Sequence, residues 1–186
     1  MNDVGNEGVS GAGPCGEMLV IGYGNVMRGD DGVGPAVAEE VSKLGLSGIR
    51  VEVRHQLTPE LEGLLGKASA AVFVDAVDPE DGSSSAGGEG EAEEGGVRVR
   101  VRVRVRELSA VTVERAGWTG HRFDPEVLLA LTRELRGRAP RAWSVEIPVR
   151  EFGWGPGLTA GASEKVREAV AVVCRLRDEH ACTRRD

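Results

Sequence analysis

The stretch GYGNVMRGDDGVG, residues 22–34, follows the apolar run MLVI at residues 18–21. An apolar run that ends in a glycine-rich turn is typical of the first strand and loop of a doubly wound α/β sheet. Turns of this kind usually bind a nucleotide phosphate at the start of the next helix. This turn carries two adjacent carboxylates, Asp30 and Asp31, where a phosphate would sit. Their charge decides which ligand the loop can accept.

Three further apolar runs predict buried strands, and prolines mark the helix starts between them. The pattern predicts an α/β fold, a three-layer sandwich with a mostly parallel twisted sheet of about five strands and helices on both faces. A last amphipathic helix is predicted over about residues 159–177. The strand runs are residues 49–53, 70–74 and 142–147, and the helix-start prolines are Pro35, Pro59 and Pro125.

The chain of 186 residues is long enough for one domain with a real core. We expect a disordered N-terminal tail at residues 1–17, a domain at residues 18–178 and a C-terminal tail at residues 179–186. The segment GSSSAGGEGEAEEGG, which begins at Gly82, is acidic and of low complexity. It predicts a flexible insertion at about residues 79–96.

The segment VRVRVRVRVR, residues 97–106, alternates valine and arginine strictly. A strand with this pattern carries all its arginines on one face, and burying that face between helices would cost too much free energy. We therefore expect an edge strand or a hairpin that extends beyond the helices. Its arginines are either a solvated face that protects the edge or a docking surface for an acidic partner, and the acidic insertion could fold back onto them.

Composition excludes several classes of function. The net charge of −7 argues against general nucleic-acid binding, and no apolar run is long enough to cross a membrane. The three cysteines form no C-x-x-C pair. The N-terminus has neither a basic start nor an apolar stretch, so no secretory signal is expected. These features together predict a cytoplasmic protein.

The glycine turn does not fit a nucleotide site. A dinucleotide fingerprint needs a third glycine three positions after Gly24, where this chain has Met27. The second predicted strand does not end in an acidic residue, and a phosphate-binding loop would need G-K-[ST]. Since two carboxylates would also repel a pyrophosphate, the turn favours a cation.

The other ligands of such a cation should lie at the carboxyl ends of the strands, near the switch point of the sheet. Asp31 follows the first strand, Asp75 ends the run AAVFVD, and His121 lies in the loop before the Pro125 helix. Two carboxylates and an imidazole can form a divalent-metal site with open positions. Each residue also has an ordinary explanation, because Asp30, Asp31 or Asp75 could cap a helix or turn and a loop histidine is often structural.

Four separated blocks of the sequence together resemble the hydrogenase maturation endopeptidases, which trim the C-terminal extension of nickel–iron hydrogenase large-subunit precursors. The blocks are GYGNVMRGDDGVGPAVAEEV, VRHQLTPEL, VFVDAVD and GHRFDPEVLLAL, within residues 18–177. The resemblance implies that Asp31, Asp75 and His121 bind nickel and carry the cleavage. It further implies that the nickel arrives already bound to the precursor, so that only metal-loaded substrate is cut.

This chain departs from the family pattern at three places. Some members have glutamate at the position of Asp31, and many have two adjacent histidines where this chain has His121 and Arg122. The acidic insertion and the valine–arginine segment do not belong to the pattern. We expect a hydrolase that acts as a monomer on the hydrogenase large-subunit precursor. We expect its catalysis to be aspartic-type or metal-dependent. The absence of G-x-S-x-G argues against a serine nucleophile, and the absence of H-E-x-x-H argues against an autonomous zinc protease.

Three further residues are candidates for substrate binding. His55 follows the second strand and either contacts the peptide or bonds the Pro59 helix start. Asn25 is expected to bond the turn's own backbone and to orient a ligand. Glu151 opens the loop EFGWGPGLT, in which Trp154 either covers the peptide groove or packs as an ordinary tryptophan. The alternative function is a non-catalytic nickel-binding chaperone for the precursor, and a metal-dependent phosphatase is a more remote one.

Overall fold

The computed structural model describes residues 16–79, 102–109 and 123–183. The four predicted buried strands are all present, and each is followed by a helix or a loop in the expected order. Residues 1–15 and nearly all of the acidic insertion lie outside the described residues. The strands are β1 (Met18–Tyr23), β2 (Ile49–Arg54), β3 (Ala70–Val77), β4 (Arg104–Leu108) and β5 (Arg141–Pro148), and the helices are α1 (Val33–Lys43), α2 (Glu62–Leu65), α3 (Pro125–Arg136) and α4 (Ala160–Thr183).

The five strands form one sheet in the order β2-β1-β3-β5-β4. Four strands are parallel, and the edge strand β4 runs antiparallel to β5. The chain moves from β1 outward to β2 and then returns to β3 on the other side of β1. The switch point of the sheet therefore lies between β1 and β3, and the predicted fold class is confirmed.

Alternating side chains of the central strands enter two separate cores. In β1, Met18 and Val20 pack on the face covered by α1 and α4. Leu19 and Ile21 pack on the opposite face, against α2, α3 and the loop before α2. Both faces of the central strands are thus buried, which explains why these strands read as continuous apolar runs rather than alternating ones.

Three element boundaries differ from the sequence prediction. A 3-10 turn at Gly29–Gly32 precedes α1, so the helix begins at Val33 rather than at Pro35. Strand β3 continues to Val77, which places Asp75 inside the strand instead of in a loop. Helix α4 continues to Thr183, so residues 179–183, which were assigned to a tail, are helical. Strand β3 is longer than predicted because it pairs with β5 as far as Val77.

The described start of the domain also precedes the predicted one. The backbone carbonyl of Glu17 accepts a hydrogen bond from the backbone N–H of Ser69 at 3.1 Å. Glu17 therefore already contacts the turn that leads into β3.

No helix within residues 16–79, 102–109 and 123–183 combines the length and the apolar character that crossing a bilayer requires.

Helix α1 approaches the carboxyl ends of β1 and β3 so closely that only glycine fits. A methyl group on Gly34 would overlap the carbonyl oxygen of Tyr23 and would lie 2.6 Å from that of Val74. A methyl group on Gly22 would in turn overlap the carbonyl oxygen of Gly34. This contact fixes the start of α1, and with it the preceding glycine turn, directly above the switch point.

We predict that Gly34→Ala destabilises the protein by about 3 kcal/mol or more, because the added methyl must displace backbone rather than a side chain. The matched control is Gly161→Ala in α4, where an added methyl meets open space. The control should be neutral or stabilising by up to about 1 kcal/mol, since alanine favours the helix. Urea unfolding measures both variants, and equal stabilities would contradict this account of the β1–α1 contact.

The edge position predicted for the valine–arginine segment is confirmed for its described part. Residues 97–101 lie outside the described residues, and β4 begins at Arg104. Arg106 is not simply solvated, because its Nη1 lies 2.6 Å from Glu126 Oε1 and its Nε lies 3.6 Å from Glu146 Oε1. Val105 is 46% exposed. The edge is therefore held to α3 and β5 by a shared charge cluster.

We predict that Arg106→Thr lowers stability by about 1 kcal/mol, because the ion pairs with Glu126 and Glu146 are lost at a half-exposed site. Arg104→Thr should change stability by less than about 0.5 kcal/mol, since Arg104 is exposed and has no ion pair with another described residue. The difference between the two melting temperatures should shrink at high salt. A larger loss for Arg104→Thr would show that this assignment of the two arginines is wrong.

Candidate active site

A cleft of 220 Å³ opens at the carboxyl ends of β1 and β3, at the switch point of the sheet. Open α/β sheets bind their ligands at this place. Asp31 and Asp75, which the sequence analysis selected as ligands, both line the cleft. The other lining residues are Tyr23, Gly24, Asn25, Arg28, His55, Gln56, Leu57, Phe123 and Asp124.

The glycine turn supplies Asp31 and holds its carboxylate in place. The backbone N–H of Asn25 donates a hydrogen bond to Asp31 Oδ2 at 2.9 Å. The side chain of Asn25 is used within the turn, because its Oδ1 accepts a hydrogen bond from the backbone N–H of Met27 at 2.9 Å. The predicted bonding of Asn25 to its own turn is thereby confirmed. Asp31 remains half-exposed, so it can contact a ligand in the cleft.

Asp75 reaches the same cleft from β3. Pairing of Gly22 with Val74 sets the register of β1 and β3, so Tyr23 and Asp75 are neighbours on the face that carries α2 and α3. The Tyr23 hydroxyl donates a hydrogen bond to the Asp75 carboxylate, and Asp75 Oδ1 also accepts one from the backbone N–H of Ala76 at 2.8 Å. These two donors fix the orientation of the carboxylate.

Negative charge dominates the electrostatics of the cleft. The pKa of Tyr23 is raised well above its ordinary value of 10.0, first by burial and then by the charge and hydrogen bond of Asp75. The charges of Asp124 and Glu126 raise it further. Tyr23 therefore stays protonated and serves as a hydrogen-bond donor to Asp75 at every physiological pH. A cleft with three carboxylates in its lining attracts a cation and repels a phosphate.

Asp30 points away from the cleft and has a structural role. It is buried, with 3% of its surface exposed. Its Oδ1 accepts a hydrogen bond from the backbone N–H of Thr159 at 2.8 Å, and its Oδ2 accepts one from Thr159 Oγ1 at 2.9 Å. Thr159 Oγ1 in turn accepts a hydrogen bond from the N–H of Ala162, which caps α4. Asp30 thus supports the cap of the last helix rather than the helix that follows it.

The structure brings together some of the predicted substrate-binding residues. His55 and Asn25 line the cleft. The Glu151 side chain is exposed and does not belong to the cleft lining, whereas its backbone carbonyl accepts a hydrogen bond from Asp30 N at 2.9 Å. Trp154 is 83% exposed, so the alternative of an ordinary packed tryptophan is wrong. The substrate-binding roles of His55, Asn25 and Glu151 remain predictions.

His121, the predicted third ligand, lies outside the described residues. Phe123, two positions further along the chain, lines the cleft together with Asp124. Within the described ranges 16–79, 102–109 and 123–183, no three histidine, cysteine, aspartate or glutamate side chains are grouped so that they could hold a metal ion. The described part of the site therefore provides Asp31 and Asp75, and the metal triad remains a prediction.

Sequence reasoning did not select Tyr23, Arg28, Phe123 or Asp124, which also line the cleft. Tyr23 lies two positions after the first apolar run, and Asp124 directly precedes Pro125. In an α/β sheet, the carboxyl ends of the strands and the starts of the following helices lie at the same edge. The positions of Tyr23 and Asp124 in the sequence could therefore have indicated that they belong to the site. Nothing in the sequence indicated that the Tyr23 hydroxyl would reach Asp75, because that depends on the register between β1 and β3.

Solved structures share this fold. The chain is similar to the [NiFe] hydrogenase maturation protease HycI from Thermococcus kodakarensis KOD1, with 18% identity, a TM-score of 0.59 and coverage of 87% of this chain and 92% of that one. It is also similar to the hydrogenase maturating endopeptidase HybD from E. coli, with 17% identity, a TM-score of 0.59 and coverage of 88% and 93%.

A third similar structure is the hydrogenase 2 maturation peptidase from Thaumarchaeota archaeon SCGC_AB-539-E09, with 21% identity, a TM-score of 0.55 and coverage of 86% and 97%. No family model matches the chain, and no curated protein matches it at a significant level. The expected resemblance is thus confirmed at the level of the fold: the chain has the fold of the hydrogenase maturation proteases.

We predict that Asp30→Ala lowers stability by about 2 to 4 kcal/mol, because it removes a buried carboxylate that accepts two hydrogen bonds and leaves the Thr159 N–H without its acceptor. Asp31→Asn is the comparison. It should change stability by less than about 1 kcal/mol, because its amide oxygen can still accept the bond from Asn25. Urea unfolding distinguishes the two neighbours. Equal losses would mean that Asp30 is not the structural member of the pair.

Proposed function

We propose that this protein is an endopeptidase that removes the C-terminal extension of a nickel–iron hydrogenase large-subunit precursor. The observation that carries the proposal is the meeting of Asp31 and Asp75 in one cleft at the switch point, within the fold of the hydrogenase maturation proteases. The agreement matters because the sequence resemblance selected these same two acids. A cytoplasmic site of action remains part of the proposal.

Recognition of nickel bound to the precursor is the finer part of the proposal. Asp31 and Asp75 offer anionic oxygen donors to a cation that the substrate brings with it. We assign the third donor to His121, because the sequence resemblance selects it and it stands two positions before Phe123, which lines the cleft. Carboxylate and imidazole donors suit nickel, and a set of three leaves positions for the precursor's own ligands.

The residues of the cleft have distinct tasks. Asn25 N–H orients Asp31, and the Tyr23 hydroxyl and Ala76 N–H orient Asp75. Either carboxylate can accept a proton from a water that attacks the scissile carbonyl. When bound, the nickel ion supplies Lewis acidity toward that carbonyl or water. The hydrogen bonds that hold the carboxylates matter, because a displaced carboxylate would no longer be placed to accept the proton from the water.

The alternative is a nickel-binding chaperone that escorts the precursor without cutting it. Both functions need the cleft, the two acids and a surface that contacts the precursor. Only the appearance of a shortened product separates the two.

The test incubates the full-length protein with purified large-subunit precursor, prepared with and without nickel, and weighs the products by mass spectrometry. We predict that wild type shortens only the nickel-loaded precursor. Asp31→Asn, Asp75→Asn and His121→Ala should each lower the rate by at least about 100-fold, because each removes a donor or proton acceptor. Asp178→Asn, an exposed acid near the far end of α4, is the isosteric control and should cut at the wild-type rate.

Cleavage that survives Asp75→Asn or His121→Ala would contradict the triad. Equal cleavage of nickel-free precursor would contradict metal recognition while leaving the endopeptidase intact. Tight binding of loaded precursor without any shortened product from wild type would favour the chaperone.

A further inference from the structure

Three large apolar side chains are exposed on two hydrogen-bonded loops next to the cleft. Val26 is 53% exposed, Met27 48% and Trp154 83%. Backbone hydrogen bonds join their two loops, because the N–H of Gly155 donates to the carbonyl of Met27 at 3.0 Å and the N–H of Gly29 donates to the carbonyl of Gly155 at 3.0 Å. We call Val26, Met27 and Trp154 the apolar rim.

The exposure of Trp154 does not arise from a loosely held loop. Phe152 and Leu158, on either side of it, pack against the core that α1 and α4 cover. Thr159, at the end of the loop, is bonded twice by Asp30. The loop is thus fixed at both ends and at Gly155 in its middle, while the indole of Trp154 stays exposed. A large apolar group that a rigid loop holds in water typically marks an interaction site.

The apolar rim is continuous with the cleft. Val26 and Met27 lie in the chain between Asn25 and Arg28, and both of these line the cleft. A peptide that leaves the cleft past Asn25 and Arg28 passes over the rim. A peptide bound in the cleft can therefore reach the rim where it extends past Asn25 and Arg28.

We propose that the apolar rim binds apolar side chains of the hydrogenase precursor beside the scissile peptide bond. This inference rests on the proposed function, because it takes the precursor as the molecule in the cleft. Tryptophan and methionine are enriched in protein–protein interfaces, and buried tryptophans often dominate binding energies there. The rim thus provides affinity for the protein part of the substrate, whereas Asp31 and Asp75 act at the metal and the bond that is cut.

The first experiment measures cleavage of nickel-loaded precursor at varied precursor concentration. Trp154→Ala should raise KM about tenfold, the size expected for loss of one interface anchor, and leave kcat within about twofold. Met27→Ser should shift KM in the same direction. The matched control is Leu44→Ala, which truncates a side chain of 51% exposure at the other end of α1. It should change neither constant, and melting temperatures should show that all three variants are folded.

The second experiment measures binding without cleavage, so that failure of this inference and failure of the proposed function can be told apart. In the Asp75→Asn background, which should not cut, adding Trp154→Ala should weaken precursor binding about tenfold relative to Asp75→Asn alone. An unchanged KM and unchanged binding for Trp154→Ala would overturn the rim while leaving the endopeptidase standing. If the wild-type protein binds the precursor in a way that depends on Trp154 but does not cut it, the proposed function is wrong and the inference about the rim stands. Loss of self-association in Trp154→Ala, seen by light scattering, would assign the rim to a second copy of this chain and overturn the proposal.

Discussion

The carboxylate of Asp30 bonds both the backbone N–H and the hydroxyl of Thr159, and this pair joins the first loop of the sheet to the start of the last helix. The two elements are 129 positions apart in the chain. Because Asp30 is buried and turned toward α4, its neighbour Asp31 faces the opposite way, into the cleft. One acid thus holds the turn in place, and the other lines the cleft.

The close contact between α1 and β1 acts together with this bond. Gly22 and Gly34 allow the helix to start directly above the strand ends, so the turn between them has little freedom. The turn then presents Asp31 at a fixed place relative to Asp75, which β3 carries as a paired residue of the sheet. Orientation of both carboxylates therefore comes from closely packed and paired backbone, which suits the cleavage that we propose.

The same bond fixes the loop that carries Trp154. Its end at Thr159 is tied to Asp30, and Gly155 is bonded to the turn between Met27 and Gly29. The cleft and the apolar rim are thus two sides of one locally rigid unit built from the first and last parts of the domain. Under the proposed function, a precursor that reaches Asp31 and Asp75 would also reach the rim, and this would couple recognition of the protein to recognition of its metal.

The sequence by itself determined that the chain forms an α/β sheet, the order of strands and helices along the chain, and the edge of the sheet at which Asp31 and Asp75 meet. Apolar runs and proline helix starts are local signals, and the carboxyl ends of parallel strands share one edge whatever the details of packing. Only the tertiary structure decided the division of labour between Asp30 and Asp31, the bond from Tyr23 to Asp75 and the pairing of Arg106 with α3. Each of these depends on contacts between distant segments, which strand register and helix placement fix and which local sequence patterns do not encode.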